Sequence, residues 1–380
     1  MNGTNKQSSL IEFTNALNRH HIPITKKTIN RFLEHKAREK RIPLIGLFEL
    51  TSYCNLDCKM CYVHLDNIEH NPKGQLSVKT WKGLMADAYE AGMRQAKLSG
   101  GECLTHPGFD ELYLFLEEKK TKINIASNGL LMDKNRIDFF LKHRPSSIQI
   151  SLYGSSNSSY QIVTGHRCFD EIYRNLEMLK DAKLPVSIAI TPSQYNKKDI
   201  EDILLVAKSL NIPHRVNSLL LATRDSIEQR PNDLSVDEYI EIYKKWNKIN
   251  DKELNSILPE ELPEENHGGA ARYGLQCGAG RSSFAILYNG KMCPCVSLSE
   301  LSADPLESGF NEAWKRIVAL SDNYQIPREC GACVYRKDCL ICAAAHKYAP
   351  AGGHCDPRVC EYTKKLVSAG IIERPTVEGC

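Results

Sequence analysis

PLIGLFELTSYCNLDCKMC, residues 43–61, joins two signals without a break. The first half, PLIGLFEL (43–50), is a short apolar run of the length of a buried strand. The second half carries Cys54, Cys58 and Cys61, with three and then two residues between them. Three thiols within so short a loop can converge on one centre at little loop-closure cost. A structural zinc ion closes with four ligands and would need the fourth from elsewhere. A cubane iron–sulfur cluster on three thiolates instead leaves one iron open to a ligand. The loop alone leaves both readings standing.

Outward from this stretch the same kind of run recurs: QAKLSG (95–100), KINIAS (122–127), SIQISLYG (147–154), PVSIAIT (185–191) and HRVNSLLL (214–221). Between the runs lie amphipathic segments at 78–92, 109–120 and 169–183. In the last of these Ile172, Leu176 and Leu179 share one helical face, with charges opposite. Six strands alternating with helices predict an α/β fold, a parallel sheet curled into a partial (β/α)6 TIM-like barrel. Ligands of such sheets bind beyond the C-terminal strand ends. The thiol loop follows the first strand, so it falls where a site belongs. After the second strand comes Gly100-Gly101-Glu102, two glycines that admit close backbone approach and a carboxylate that can accept from an ammonium.

Composition sets the limits. The chain has 380 residues, 42% hydrophobic and 25% charged, enough for one large or two modest domains. Lys plus Arg is 49 against 46 for Asp plus Glu, a net charge of +3, which argues against nucleic acid or an anionic membrane as a partner. No apolar run is long enough to span a membrane, and the first thirty residues lack a signal-peptide core, so a cytoplasmic location is expected. Fifteen cysteines in a reducing compartment point to metal or catalysis rather than disulfides.

Four parts are expected. Residues 1–40 form a helical lead-in whose second half, KKTINRFLEHKAREKR, is basic and reads as a solvated helix face. Residues 41–225 form the partial barrel, and 226–270 a helix and an acidic, Pro-containing linker. Residues 271–380 carry ten of the fifteen cysteines and should take much of their stability from metal centres.

In combination, C-x3-C-x2-C after strand one, GGE after strand two, SNG (127–129) after strand three and SLYG (151–154) after strand four resemble a radical S-adenosylmethionine (SAM) enzyme. The resemblance implies that Cys54, Cys58 and Cys61 hold a 4Fe–4S cluster whose open iron chelates SAM. It further implies that one electron cleaves the sulfonium, giving a 5′-deoxyadenosyl radical that abstracts a hydrogen atom. Glu102 and the Gly100-Gly101 backbone would hold the methionyl ammonium, and Ser127, Asn128 and Ser151 ribose or carboxylate. Arg167 is a further candidate for the carboxylate; the bland reading of each polar residue is a cap or turn. Met60 stands where the family commonly has an aromatic residue beside the adenine, a place a polarisable thioether can fill. Cys103 stands where the family often has Pro. It is either a small buried residue or a thiol that donates a hydrogen atom to, or bonds, the substrate.

Cys330, Cys333, Cys339 and Cys342 follow C-x2-C-x5-C-x2-C, a spacing a zinc ribbon could also use. Cys277, Cys293, Cys295, Cys355 and Cys360 surround that block, too many for one tetrahedral site. The arrangement resembles the SPASM extension of radical SAM enzymes, with Cys277, Gly290 and Cys295 matching its first part. The four-cysteine block has two residues before its last member, where the family usually has three. By this resemblance one auxiliary cluster takes Cys277, Cys295 and Cys342, with Cys293 available as fourth ligand. The second takes Cys330, Cys333, Cys339 and Cys360, or Cys355 in place of Cys360. Such clusters could carry away a second substrate electron. Cys168 and Cys380 have no assigned role.

The resemblance implies a peptide or protein substrate, modified by a thioether or carbon–carbon crosslink or by side-chain oxidation. A flavodoxin or ferredoxin would be the reductant. Some forty residues precede strand one, fewer than the leader-binding domain of many such relatives, so a separate leader-binding protein or the basic helix would take that role. Oxidation or epimerisation of a small molecule such as a sugar or aminocyclitol is the alternative. A zinc-stabilised binding module is the reading from another class, and it leaves the GGE loop without a use.

Overall fold

Strand β1 (Ile45–Glu49) is held on both sides, by β2 (Gln95–Ser99) and by β7 (Ser283–Ile286), both parallel to it. This computed structural model describes residues 25–63, 75–217, 234–250, 275, 277–331, 333–335, 339, 344 and 357–369. The sheet runs β6-β5-β4-β3-β2-β1-β7-β8, where β3 is Lys122–Ser127, β4 Ser147–Leu152, β5 Val186–Ile190, β6 His214–Val216 and β8 Met292–Cys293. The chain steps one strand at a time from β1 to β6, always parallel, as a run of βα units requires. All six expected strands form; of the last run, residues 218–221 lie outside the described residues.

Several of the helices open on side-chain caps. Helix α1 (Lys26–Lys40) starts at a Thr25/Thr28 capping box, and α2 (Val78–Glu90) at Ser77, whose hydroxyl accepts from the Thr80 amide. Then come α3 (Phe109–Glu118), α4 (Lys134–Lys142), α5 (Asn157–Thr164), α6 (Phe169–Asp181), α7 (Ile200–Ser209) and α8 (Val236–Ile249). They cover one face of the sheet. Leu98, Ile125, Ile150 and Ile188 are fully or almost fully buried, in one core with Trp81, Leu112, Phe140 and the predicted Ile172–Leu176–Leu179 face. At about 25 cal/mol per Å² of apolar surface, this continuous layer is the main term holding the sheet's curvature.

The alternate strand residues face the other way, and they are polar: Lys97 and Ser99 on β2, Asn124 on β3, Gln149 and Ser151 on β4. They line the concave side. Ser147 donates to Asn124 Oδ1 at 2.7 Å, and Arg215 Nη2 to Gln149 Oε1 at 2.8 Å.

The C-terminal region adds more to this sheet than its composition suggests. The expected cysteine-rich part, 271–380, supplies β7 and the antiparallel β8 as strands seven and eight. SFAI (283–286) is too short to stand out in sequence. Its place is fixed by Phe284, whose ring meets Phe48 and Phe310 edge-on at 5.9 and 5.2 Å. Gly46 makes room, since a Cβ there would lie 2.6 Å from Phe284 Cζ. The short α9 (Pro305–Ser308) and then α10 (Phe310–Asp322) follow. Helix α10 is tied to the N-terminal helix by the Arg41–Asp322 ion pair at 2.9 Å, and Trp314 Nε1 donates to Arg41 O at 2.7 Å. Helices α11 (Arg328–Gly331) and α12 (Pro357–Ser368) complete the described chain. Residues 1–24 of the lead-in, the linker residues 251–270, Cys342, Cys355 and Cys380 lie outside the described residues.

Candidate functional site

Beyond the C-terminal ends of the strands opens a cavity of about 340 Å³, within the size range of small-molecule and cofactor sites. Its wall includes all three cysteines of the first loop together with Met60, Gly100 and Gly101, Ser127 and Asn128, and Ser151. The sequence-predicted residues after strands one to four are thus brought to one place.

The loops hold one another through backbone. Gly101 N donates to Thr51 O at 2.8 Å and Glu102 N to Tyr53 O at 2.9 Å, clamping the glycine loop on the thiol loop. Only glycine permits this: a Cβ at Gly100, where φ is +143°, would stand 2.4 Å from Thr51 O, and one at Gly101 2.3 Å from Tyr53 O. Asn128 adds a side-chain link, its Nδ2 donating to Asn55 Oδ1 at 2.7 Å and lying 3.6 Å from Cys54 Sγ.

Glu102 departs from expectation. It is 1% exposed and absent from the cavity wall. One carboxylate oxygen accepts from Leu104 N at 3.1 Å; the other accepts from Asn128 N at 2.7 Å and Ser127 Oγ at 3.1 Å. Both oxygens accept from the protein, so the side chain joins two loops and lies outside the described cavity wall. Burial pushes its carboxyl above the usual glutamate range, against the pull of these donors.

Two other residues fall away from the cavity. Cys103 is fully buried behind Glu102, its thiol donating to Ala126 O at 3.4 Å. A hydrogen-atom donor must touch the substrate; the geometry gives Cys103 the packing role instead. Arg167 is exposed at the start of α6 and donates to Gln161 Oε1 at 3.2 Å, so it contributes no contact to the cavity. In exchange the wall includes residues not singled out from the sequence: Lys97, Gln149, Tyr153, Asn217, Val296 and Ser297. Strand alternation was the available signal for Lys97 and Gln149. Val296 and Ser297 directly follow Cys295 and bring the C-terminal region to the cavity.

A SAM-binding cluster can be tested against this geometry. Among the described residues no three Cys, His, Asp or Glu groups close on one point tightly enough for a single metal ion. A tetrahedral zinc with Zn–S near 2.3 Å needs its sulfurs about 3.8 Å apart. The three cysteines line one cavity, which suits a cluster several atoms across. Burial pushes the Cys54 thiol up to about 12 and raises Cys58 well above the usual thiol range, with the neighbouring Cys61 and Cys54 adding to it. Alone, Cys54 and Cys58 therefore hold their protons, and iron would displace them on binding. The donor set, the glycine clamp and the cavity fit the group.

Of the remaining predicted ligands, Cys293 is buried on β8, Cys295 packs near Leu275, Ala279, Leu298 and Ala344, and Cys277 is exposed. Cys330 is buried; Cys333, Cys339 and Cys360 are half-buried, and Thr363 Oγ1 lies 3.6 Å from Cys339 Sγ.

The profile of the Radical SAM superfamily matches residues 48–207. The antilisterial bacteriocin subtilosin biosynthesis protein AlbA of Bacillus subtilis is 25% identical over 328 residues, which are 81% of this chain and 65% of AlbA. The AdoMet-dependent heme synthase of Methanosarcina barkeri is 24% identical over 332 residues, 82% of this chain and 94% of that protein. Streptococcus suis SuiB, solved with its precursor peptide SuiA, superposes with a TM-score of 0.59 at 18% identity, covering 92% of this chain and 84% of SuiB. SuiB shows a shared fold that continues past the barrel. Residues 48–207 thus match the Radical SAM superfamily, and the fold shared with SuiB runs on beyond them into the C-terminal region.

Proposed function

We propose that the chain is a radical SAM enzyme with a SPASM-type C-terminal extension, and that it modifies a ribosomal peptide or protein by hydrogen-atom abstraction, forming a thioether or carbon–carbon crosslink or oxidising a side chain. When bound, a 4Fe–4S cluster with SAM supplies the 5′-deoxyadenosyl radical, and two auxiliary clusters an electron sink, chemistry beyond any side-chain acid or base. Cys54, Cys58 and Cys61 hold the first cluster. Met60, the Gly100-Gly101 backbone, Ser127, Asn128 and Ser151 form the wall against which SAM is oriented. Glu102 acts one layer back, fixing the Ser127–Asn128 turn. Cys277, Cys293, Cys295, Cys330, Cys333, Cys339 and Cys360, with Cys342 and Cys355, supply the auxiliary ligands. The barrel spans 41–225 and the extension 271–380, the latter also lending strands to the sheet.

The observation that carries this reading is the convergence of three thiols and the glycine clamp on one cavity at the strand ends. A peptide substrate is supported by the relatives: AlbA belongs to bacteriocin biosynthesis, and SuiB binds a precursor peptide. A flavodoxin or ferredoxin would deliver electrons, and a separate protein or the basic N-terminal helix would bind a leader. Among the described residues no helix is long and apolar enough to cross a membrane, which suits a cytoplasmic location.

The test is anaerobic reconstitution with SAM, reductant and candidate peptides, followed by mass analysis. Cys58→Ala should abolish 5′-deoxyadenosine. Deoxyadenosine at the wild-type rate in that variant would overturn the assignment. A second reading, oxidation or epimerisation of a small molecule, is favoured by the heme synthase alignment over nearly all of that relative. It predicts deoxyadenosine with no mass change in any peptide.

A further inference from the structure

Lys97 is the one charged residue in the described wall of the cavity, and no Asp or Glu lines it. Among the described residues no acceptor meets its ammonium. Glu102, the carboxylate next along the same chain segment, is fully engaged with Leu104, Ser127 and Asn128. Lys97 pairs in register with Asn124, and the next row up aligns Ala126 with Gln149. Gln149 is also in the wall, its Oε1 taken by Arg215 Nη2 at 2.8 Å, which leaves its amide nitrogen as a donor. One cation and an amide nitrogen therefore face the cavity with no counter-charge in its described wall, and the exposed Arg215 stands behind Gln149.

We propose that Lys97, with the Gln149 amide one row above it and the Arg215 charge nearby, forms an anion subsite in the cavity that takes a carboxylate of the substrate. This rests on reading the cavity as the reaction chamber. Depth assigns the carboxylate to the substrate rather than to SAM. Lys97 lies two residues, about 7 Å along the strand, below Ser99 and the glycine clamp that faces the thiols. A charge-assisted bond to a lysine, with an arginine beside it, is the ordinary way to hold a carboxylate in a partly buried place. Burial, and after it the Arg215 charge, hold Lys97 below the usual lysine range, as befits an ammonium lacking its counter-ion. The substrate class follows: a peptide with an acidic side chain or terminal carboxylate at the modified segment, or a small carboxylic acid.

The test reads Lys97 directly. Anaerobically reconstituted full-length enzyme is reductively methylated with neutral reagents, and each lysine's rate is followed by peptide mass mapping. Glutarate is the probe and glutaramide its neutral counterpart, both without SAM. At ten times its dissociation constant glutarate should slow Lys97 roughly tenfold, leave the exposed Lys315 unchanged, and be matched by no effect of glutaramide. Arg215→Met should weaken that protection. Equal Lys97 rates with glutarate and glutaramide would overturn the proposal. Protection by SAM but not by its decarboxylated analogue would overturn it too, by giving the subsite to the cofactor. Failure of the wild type to form deoxyadenosine would sink the radical reading alone and leave the protection result standing.

Discussion

The carboxylate of Glu102 accepts from the backbone amide of Asn128 at 2.7 Å, joining the loop after β2 to the loop after β3. Asn128 in turn reaches Asn55 in the thiol loop. Three loops from three strands are therefore held as one unit, and the thiols inherit their positions from it.

Glu102→Ala should cost about 2–4 kcal/mol, because it leaves buried donors on Leu104, Ser127 and Asn128 unsatisfied. The pH dependence has a definite sign. A glutamate raised above its ordinary value of 4.5 by burial contributes stability below that value and loses it as pH rises through the folded one. Wild-type urea midpoints should carry this downward contribution, and Glu102→Gln should lack it. Parallel curves for the two proteins would mean that Glu102 is not titrating in the folded state.

Gly101→Ala and Gly83→Ala form a matched pair. A methyl at Gly101 meets the Tyr53 carbonyl, so the thiol loop must retreat, at a cost of about 1–3 kcal/mol and with less iron retained per chain. At Gly83, inside α2, a methyl meets nothing within 4 Å, and the gain in helix propensity is up to about 1 kcal/mol. Melting temperature and iron content check both.

Cys103→Ala should lower stability by about 1–2 kcal/mol through lost packing while leaving the modified product the same. A changed product, measured by mass, would restore the thiol to a role in the chemistry.

Glu238 caps α8 and bonds Lys197 Nζ at 2.6 Å, and that hydrogen bond, with the Ser235 amide, holds its carboxyl down to about 2. A depressed carboxyl contributes stability above its unfolded value, and that contribution is lost as pH falls from 4.5 toward 2. Since a third of each side chain is exposed, the pair is worth only about 0.5–1 kcal/mol after screening. Glu238→Gln should lose that much at pH 7 and match wild type in acid, read as urea midpoints.

The alternation of runs and amphipathic segments was enough to place six strands, because period two and period 3.6 are local properties of the chain. β7 was not legible, since four residues carry too little pattern; pairing with β1 and the seat of Phe284 beside Gly46 define it. Lys97 and Gln149 were printed in alternating runs, yet apolar neighbours such as Leu98 and Ile150 masked them. Cys103 and Arg167 had suitable chemistry and unsuitable directions.

By itself the sequence determined the thiol spacing, the order of strands and helices, and the glycines at the strand ends, all consequences of short-range geometry. The tertiary structure alone decided that Glu102 turns inward, that Cys103 is sealed, and that a lysine faces the lumen without a counter-charge. The direction of a side chain depends on which strand lies beside it, and that neighbour is set by packing between residues far apart in the chain.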